Sequence, residues 1–319
     1  MRYVQVGLGY RAQTLKAVMA SMAEFECVGW VLHKQRTATV PVYTDLAQCL
    51  DGADPEFVLN LAPSHSTAAV LETAVRRGVP VVTGAPPGST VGELERLADV
   101  AQSGAVQAAE HHPLMPGHSA RLAGVGSTMI GEVWQVQISA AQPWNAMALI
   151  RAYLGVGIVP AVIRGHRFSG DNILASVDFG EGRSGIYDFS SDFTRNLLQK
   201  GRLLVRGSHG EISGDQVVRI GEHNLITTTY MQRHLDPETH CTSQITLGDH
   251  VLWTNPTPEM EWNDDEVGIA EFLARTYSWI RGEGAPPYPL EEALYDARLG
   301  LAITQAIEQD RTIEVMVSH

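Results

Sequence analysis

Three adjacent residues with side chains that can exchange protons, Glu110, His111 and His112, follow a strand pattern over 105–109. A histidine titrates near neutrality, so it can donate a proton to a substrate atom near pH 7. We take His112 as the first candidate catalytic residue, His111 as the second, and Glu110 as a candidate substrate contact. The alternative is that the two histidines only shape a polar pocket or cap the helix that follows Pro113.

A glycine-rich turn at the start of the chain could hold a phosphate-bearing cofactor. The strand-prone run 3–6 leads into a Gly-x-Gly-x-x-Ala turn over 7–12, and an amphipathic helix pattern follows. The first glycine permits a tight turn, the second lets the backbone approach a pyrophosphate, and the alanine lets the helix pack against the strand. This order predicts a dinucleotide site, the alternative being a purely structural turn. Its predicted contacts are Gly7, Gly9, Tyr10, Arg11 and Ala12.

The residues after the second predicted strand, 27–32, bear on which dinucleotide binds. In this fold an acidic residue there grips the ribose hydroxyl of NAD, whereas a basic one suits the extra phosphate of NADP. In this sequence the corresponding positions are occupied by His33, Lys34 and Arg36, and none of them is a carboxylate. Because cations pair with phosphate, NADPH is predicted rather than NADH. The alternative is that Lys34 and Arg36 are only solvated loop charges.

Two further loops follow predicted parallel strands. Ligands of open parallel sheets lie outside the carboxyl ends of the strands, so residues there are candidate cofactor contacts. His65 could equally be a helix-start residue without a ligand. The candidates are Ala62, Pro63 and His65 in one loop, and Gly84, Ala85 and Pro86 in the other.

These residues are positioned by two kinds of predicted secondary structure. Strands alternate with helical patterns up to about residue 112, which is typical of a doubly wound, Rossmann-type parallel sheet. From Glu132 onward long alternating strands predominate, with an early helix over 146–154, which predicts an α+β domain on an open, mostly antiparallel sheet. We therefore expect an α/β protein with an NADP-binding domain over 1–117 and a substrate and oligomerisation domain over 118–319.

Composition excludes several classes of partner. The 319 residues carry a formal net charge of -13, which repels nucleic acid phosphates and anionic membranes. The three cysteines are far apart, and neither they nor the histidines have metal-ligand spacing, so no metal is expected. No secretory signal or membrane-spanning run is evident, which predicts a cytoplasmic protein with a small-molecule substrate.

At this point the sequence resembles the Gfo/Idh/MocA oxidoreductases over nearly its whole length. The resemblance is carried by VGLGYRA at the start, RRGVPVV, STMIGEV, GSHGEISG and the tail YPLEEALYDARLGLAITQAIEQDRTIEV. It implies an N-terminal Rossmann domain, an α/β substrate domain on an open sheet, and a homodimer or higher homo-oligomer.

The sequence departs from that family at the positions of its usual catalytic residues. The family's Glu-Lys-Pro motif falls on Gly84, Ala85 and Pro86, so the lysine that contacts substrate and nicotinamide is missing. Its usual Asp and His fall near Ala141 and Asn145. Asn145 and the adjacent Trp144 are therefore candidate substrate contacts without acid–base capacity.

A subgroup of that family, the thiazolinyl imine reductases of siderophore biosynthesis, is more similar. The shared segments are VPVYTD, AYLGVGIVPA, HVLWTNP and NDDEVGIAEFL. The subgroup reduces a cyclic C=N bond on a carrier-protein-tethered intermediate with NADPH. Its histidine in place of the lysine, and its tyrosine suspected as proton donor, correspond to Ala85 and His112.

We therefore expect an NADPH-dependent reductase of a C=N or C=O bond in a small or carrier-bound metabolite. Hydride must reach the carbon and a proton the heteroatom, and a preprotonated iminium would relax the second demand. The competing expectation, which rests on the missing Lys, Asp and His, is a nucleotide-binding sensor or partner subunit without catalysis.

Overall fold

The computed structural model describes residues 1–8, 10–34, 37–190 and 202–317, with the backbone alone over 10–13. The chain divides into two compact units. The first comprises Met1–His111 and Ile269–Ala297, and the second comprises His112–Gly268 and Arg298–His319.

The first unit alternates strands and helices, as the sequence predicted. Its strands form a six-stranded sheet in the order β3-β2-β1-β4-β5-β6, and all neighbouring pairs are parallel. This is the doubly wound Rossmann arrangement, so the prediction for the N-terminal part is confirmed. The elements are β1 (Arg2–Val6), α1 (Tyr10–Ser21), β2 (Glu26–Val31), β3 (Val42–Tyr43), α2 (Leu46–Ala53), β4 (Phe57–Asn60), α3 (Ser64–Val75), β5 (Val81–Gly84), α4 (Val91–Arg96), α5 (Ala98–Ala101) and β6 (Val106–Ala109).

The rest of the chain supplies a larger sheet and four longer helices among its described residues. Short 3-10 turns lie at His112–Leu114 and Glu222–Asn224. The elements are α6 (Pro116–Gly126), β7 (Val133–Ser139), α7 (Pro143–Leu154), β8 (Ala161–Arg167), β9 (Ile173–Asp178), β10 (Ser184–Phe189), β11 (Leu203–Gly207), β12 (Gly210–Ser213), β13 (Gln216–Ile220), β14 (Ile226–Leu235), β15 (Thr242–Leu247), β16 (His250–Thr254), α8 (Asp264–Ile280), α9 (Leu290–Gln309) and β17 (Ile313–Val315).

The sheet of the second unit has eleven strands in the order β16-β15-β14-β13-β12-β11-β7-β10-β9-β8-β17. Among the strands that the structure describes in this sheet, only β7 and β10 run parallel, which confirms the mostly antiparallel sheet. Strand β7 buries Val136 and Ile138 in alternation, and helix α7 packs on β7 and β10. Gly185 of β10 allows the close approach, because a Cβ there would lie 2.7 Å from Cγ2 of Ile150.

The segment Ile269–Ala297 returns to the first unit, which differs from the two consecutive domains 1–117 and 118–319 predicted from sequence. Side-chain Nε2 of Gln107 donates to Oγ1 of Thr276 at 2.7 Å, and both residues are fully buried. The backbone N–H of Ala108 also donates to the carbonyl oxygen of Tyr288 at 2.9 Å. These bonds attach the returning segment to β6.

The alternating run over 245–253 is divided between two strands, β15 and β16, which pair as a hairpin. The turn between them contains Gly248 at φ +56°, a conformation that glycine adopts without strain.

Candidate functional site

The predicted dinucleotide turn begins where β1 ends, between its sheet neighbours β2 and β4. Gly7 has φ +82°, and a Cβ there would lie 2.8 Å from the carbonyl oxygen of Leu61. Its N–H donates to the carbonyl oxygen of Val31 at 3.1 Å, and its own carbonyl oxygen accepts from Nε2 of Gln5 at 2.8 Å. The turn is thus fixed to the neighbouring strand β2 and to β1, the strand that leads into it.

Helix α1 begins at Tyr10, immediately after this turn, and Arg11 and Ala12 continue its first turn. Gly9 and the side chains of 10–12 lie outside the described residues. The first N–H groups of a helix have no partner within the helix, and they favour an anion such as a pyrophosphate. The geometry of the backbone around Gly7 therefore matches the requirement of a dinucleotide turn.

The residues predicted to select the cofactor follow β2. His33 and Lys34 are both exposed, which leaves the Lys34 ammonium accessible to an anionic ligand. Arg36 lies outside the described residues.

The loop after β4 is tied to the end of β5 by Asn60, a residue that the sequence reasoning missed. Its Nδ2 donates to Oγ1 of Thr83 at 2.9 Å, and its Oδ1 accepts from the N–H of Ala62 at 3.3 Å. The signal that could have found it is a lone amide ending the apolar strand Phe57–Asn60. Pro63 immediately precedes α3, and His65 lies exposed in the first turn of that helix, which is the helix-start position considered above.

The loop after β5 carries Gly84, Ala85 and Pro86, and the Ala85–Pro86 peptide bond is cis. The Ala85 side chain is buried, at 5% exposure. A methyl group has neither charge nor hydrogen-bonding capacity, so this position has no acid–base or electrostatic role.

Glu110 and His111 end the first part of the first unit, directly after β6. The Glu110 side chain is 3% exposed, whereas His111 is half-buried. A glutamate with so little exposure is unusual outside pairs and functional sites.

His112 opens the second unit, and the structure brings it together with Asn145. The two side chains meet across 33 positions of sequence, with Nδ2 of Asn145 3.2 Å from Nδ1 of His112. Asn145 is 8% exposed and lies in the first turn of α7, next to the equally buried Trp144. Two residues that sequence reasoning selected for different reasons are thus neighbours.

A second polar pair, between α6 and α7, was missed by the sequence reasoning. Nδ1 of His118 lies 2.9 Å from the hydroxyl of Tyr153, which is 1% exposed. Burial raises the pKa of the Tyr153 phenol above its ordinary value, against a lowering effect of Arg121. Arg121 also donates through Nη2 to Asp215 at 2.8 Å. The sequence signal that could have revealed this cluster is the spacing of three residues between His118 and Arg121, which places both side chains on one face of a helix.

A separate cavity of about 450 Å³ lies in the second unit and includes Ser139, Asp188 and Arg202 in its lining. Asp188 accepts a hydrogen bond from Oγ of Ser139 and another, at 3.1 Å, from Nε2 of Gln137. None of the candidate residues predicted from sequence lines this cavity.

Two kinds of feature are absent from the described residues. In that part of the chain, no three His, Cys, Asp or Glu side chains are grouped so that they could hold a metal ion. No helix there has both the length and the apolar character needed to cross a bilayer.

The two sheets and the glycine turn define the class of fold, which is that of the NAD-binding oxidoreductases of the Gfo/Idh/MocA type. No protein-family model and no curated protein matches the sequence. Solved structures with this fold do match it, at identities that establish the fold alone.

An NAD binding oxidoreductase from Klebsiella pneumoniae is 13% identical, with a TM-score of 0.76 and 100% of both chains covered. An oxidoreductase from Agrobacterium radiobacter, in complex with NAD+, L-tartaric acid and magnesium, is 13% identical, with a TM-score of 0.75 and 98% of both chains covered. A myo-inositol dehydrogenase from Corynebacterium glutamicum is 18% identical, with a TM-score of 0.69 and coverage of 100% of this chain and 99% of that one.

Proposed function

We propose that this protein is a nicotinamide-dependent oxidoreductase. The observation that carries the proposal is the Gly7 turn at the carboxyl end of β1, immediately before helix α1. A pyrophosphate is bound at this place in dinucleotide-binding folds. The likeness of the whole chain to an oxidoreductase solved with NAD+ supports the same cofactor class.

NADPH is the proposed form of the cofactor. Lys34 is exposed just after β2, where a 2'-phosphate would lie in this fold. A carboxylate at the same place would have favoured NADH, and no described residue of 32–34 supplies one.

The proposed reaction is reduction of a C=N or C=O bond in a small or carrier-bound metabolite. NADPH held at the Gly7 turn would supply a hydride to the carbon, and a proton from solution would complete the amine or alcohol. The resemblance to the thiazolinyl imine reductases suggests a cyclic imine. Ala85 cannot take part, so another side chain must face the heteroatom.

His112 is the proposed hydrogen-bond donor to that heteroatom, with His111 as the second candidate. His112 follows β6 by three residues, and the carboxyl ends of parallel strands face the ligand in this class of sheet. Trp144, Asn145 and Glu110 are the proposed substrate contacts.

The test is NADPH oxidation by the purified protein over a panel of thiazolines, other cyclic imines and ketones. Where turnover exists, His112→Ala should lower kcat/KM by roughly 10²–10³, the typical effect of losing one donor to developing charge. NADPH binding, followed by tryptophan fluorescence, should be unchanged in the same variant, and His111→Ala is the matched comparison.

The outcomes separate the alternatives. Unchanged turnover in His112→Ala would overturn the role of His112 while leaving the oxidoreductase assignment intact. Tight NADPH binding without turnover on any compound would instead support a nucleotide sensor or partner subunit, the function suggested by Ala85 and Asn145 at the family's catalytic positions.

A further inference from the structure

Asn60 is a buried amide at the last position of β4, a strand whose other residues are apolar. It is 1% exposed, and its register partner on β5, Thr83, is equally buried. A buried amide destabilises a fold unless its polar atoms are bonded. Here Nδ2 donates to Oγ1 of Thr83 at 2.9 Å, and Oδ1 accepts from the N–H of Ala62 at 3.3 Å. The single side chain therefore bonds in two directions, sideways to β5 and forward into the loop that follows β4.

Those two directions lead to the two loops that the sequence predicted to contact the cofactor. The ladder between β4 and β5 ends at the pair of Asn60 and Thr83. The first loop begins one residue after Asn60, and the second, Gly84–Pro86, begins directly after Thr83. Asn60 thus joins the two loops at the point where both leave the paired strands.

The strand order indicates which part of a dinucleotide these loops would face. In sheets of this class the pyrophosphate lies at the glycine turn, and the ribose of the adenosine half lies at the end of the next strand. These places are the ends of β1 and β2, and β4 and β5 lie on the other side of β1. A dinucleotide laid across this edge of the sheet therefore has its nicotinamide half at the loops after β4 and β5.

We propose that Asn60 is a positioning residue that holds these two loops at the spacing required by the nicotinamide half of the cofactor. The inference rests on the proposed function, because it assumes a nicotinamide cofactor. Asn60 is too buried to contact a ligand itself, so it acts through Ala62 and Thr83. The Gly7 turn is held separately, by its hydrogen bonds to β2 and β1. Binding of the adenosine half should therefore be independent of Asn60.

A second link between the same two loops is exposed and supplies a matched control. Oγ of Ser64, at the start of α3, lies 3.1 Å from Oγ of Ser89, which donates to Oε2 of Glu93 at 2.9 Å. Water can replace an exposed hydrogen bond, whereas a buried group left without its partner incurs its full desolvation cost. Ser89→Ala should therefore have little effect on cofactor binding, although it removes a contact between the same two loops.

The test compares the binding of NADPH with that of adenosine 2',5'-bisphosphate, which lacks the nicotinamide half. Thr83→Val removes the acceptor of the Asn60 amide with little change of shape, and the Kd for NADPH should rise roughly tenfold. The Kd for the bisphosphate should stay within roughly twofold of the wild-type value. Thr83→Ser keeps the hydroxyl and should restore NADPH affinity, and Asn60→Leu should reproduce the effect of Thr83→Val.

The coupling between the loops can also be measured without a cofactor. In Thr83→Val the Asn60 amide loses its partner and is released to rotate, so the N–H of Ala62 should lose its acceptor. Hydrogen–deuterium exchange of the full-length protein, followed by mass spectrometry, should then be faster in peptides that span 60–66. Peptides over β7, in the second unit, should exchange as they do in the wild type.

The outcomes are distinguishable. Equal losses of affinity for NADPH and the bisphosphate, or unchanged affinity for both, would overturn the inference, and so would unchanged exchange over 60–66 in Thr83→Val. If Asn60→Leu does not fold, the comparison of Thr83→Val with Thr83→Ser decides the question. A wild-type protein that binds neither ligand would count against the proposed function, and the exchange experiment would still decide whether Asn60 couples the two loops.

Discussion

Gly7 lies directly against Leu61: a Cβ built on the glycine would stand 2.8 Å from the Leu61 carbonyl oxygen. The turn after β1 and the turn after β4 therefore share one backbone contact, which only a residue without a side chain permits. Two loops that the sequence assigned to the cofactor on separate grounds depend on this single position.

Gly7→Ala should disrupt both loops. Alanine at φ +82° is strained, and its methyl group would also approach the Leu61 backbone too closely, so we expect a loss of at least about 2 kcal/mol in the free energy of unfolding. NADPH affinity should fall as well. Urea unfolding and NADPH titration measure the two effects. The control is Gly92→Ala, at an exposed helical position with open space around it, and equal stability of the two variants would contradict this account.

Lys34→Gln should weaken NADPH binding and leave NADH binding unchanged. Loss of one charge-assisted hydrogen bond to the 2'-phosphate should raise the Kd for NADPH roughly tenfold or more. Fluorescence titration of both coenzymes measures the difference, and Arg76→Gln, which removes an exposed charge at the end of α3, is the control. A wild-type preference for NADH would show that the interpretation of this position is wrong.

Gly300→Ala should destabilise the contact between α9 and α7. The added methyl group would lie 3.0 Å from the backbone nitrogen of Trp144 and 3.3 Å from its Cα. Overpacking of this kind costs about 1–3 kcal/mol in unfolding free energy. Gly126→Ala in α6 has open space and should gain up to about 1 kcal/mol through helix propensity. Chemical denaturation measures the unfolding free energies of the Gly300→Ala and Gly126→Ala variants. A Gly300→Ala protein more stable than wild type would contradict the close contact between α9 and α7.

Tyr187→Phe should reduce the loss of stability at alkaline pH. Burial, assisted by the adjacent Asp188, raises the pKa of the Tyr187 phenol above its ordinary value of 10.0. Above pH 10 the unfolded chain releases this proton and the folded chain keeps it, so stability falls as pH rises. Removing the phenol hydroxyl should reduce the fall of the unfolding free energy with pH by up to about 1.4 kcal/mol per pH unit. Urea unfolding between pH 8 and 11 gives the slopes. Tyr230→Phe, which removes the hydroxyl of an exposed tyrosine, is the control.

Local sequence determined the elements of this protein wherever a short stretch carries its own physical signal. Strands buried on both faces carry a continuous apolar run, as over 57–59. The acidic run Asp264, Asp265 and Glu266 stabilises the start of α8 through the helix dipole. The glycine pattern over 7–12 likewise predicted a tight turn, and Gly7 permits this turn because it has a positive φ and no side chain.

Tertiary structure decided everything that depends on residues distant in sequence. The strand order of the first sheet, the return of Ile269–Ala297 to it through Gln107 and Thr276, and the pairing of His112 with Asn145 have no local signal. Each depends on which apolar faces pack together and which buried polar groups form hydrogen bonds in the folded chain. The residue types thus determine which chemistry is available to the chain, and tertiary packing determines which of those residues are in contact.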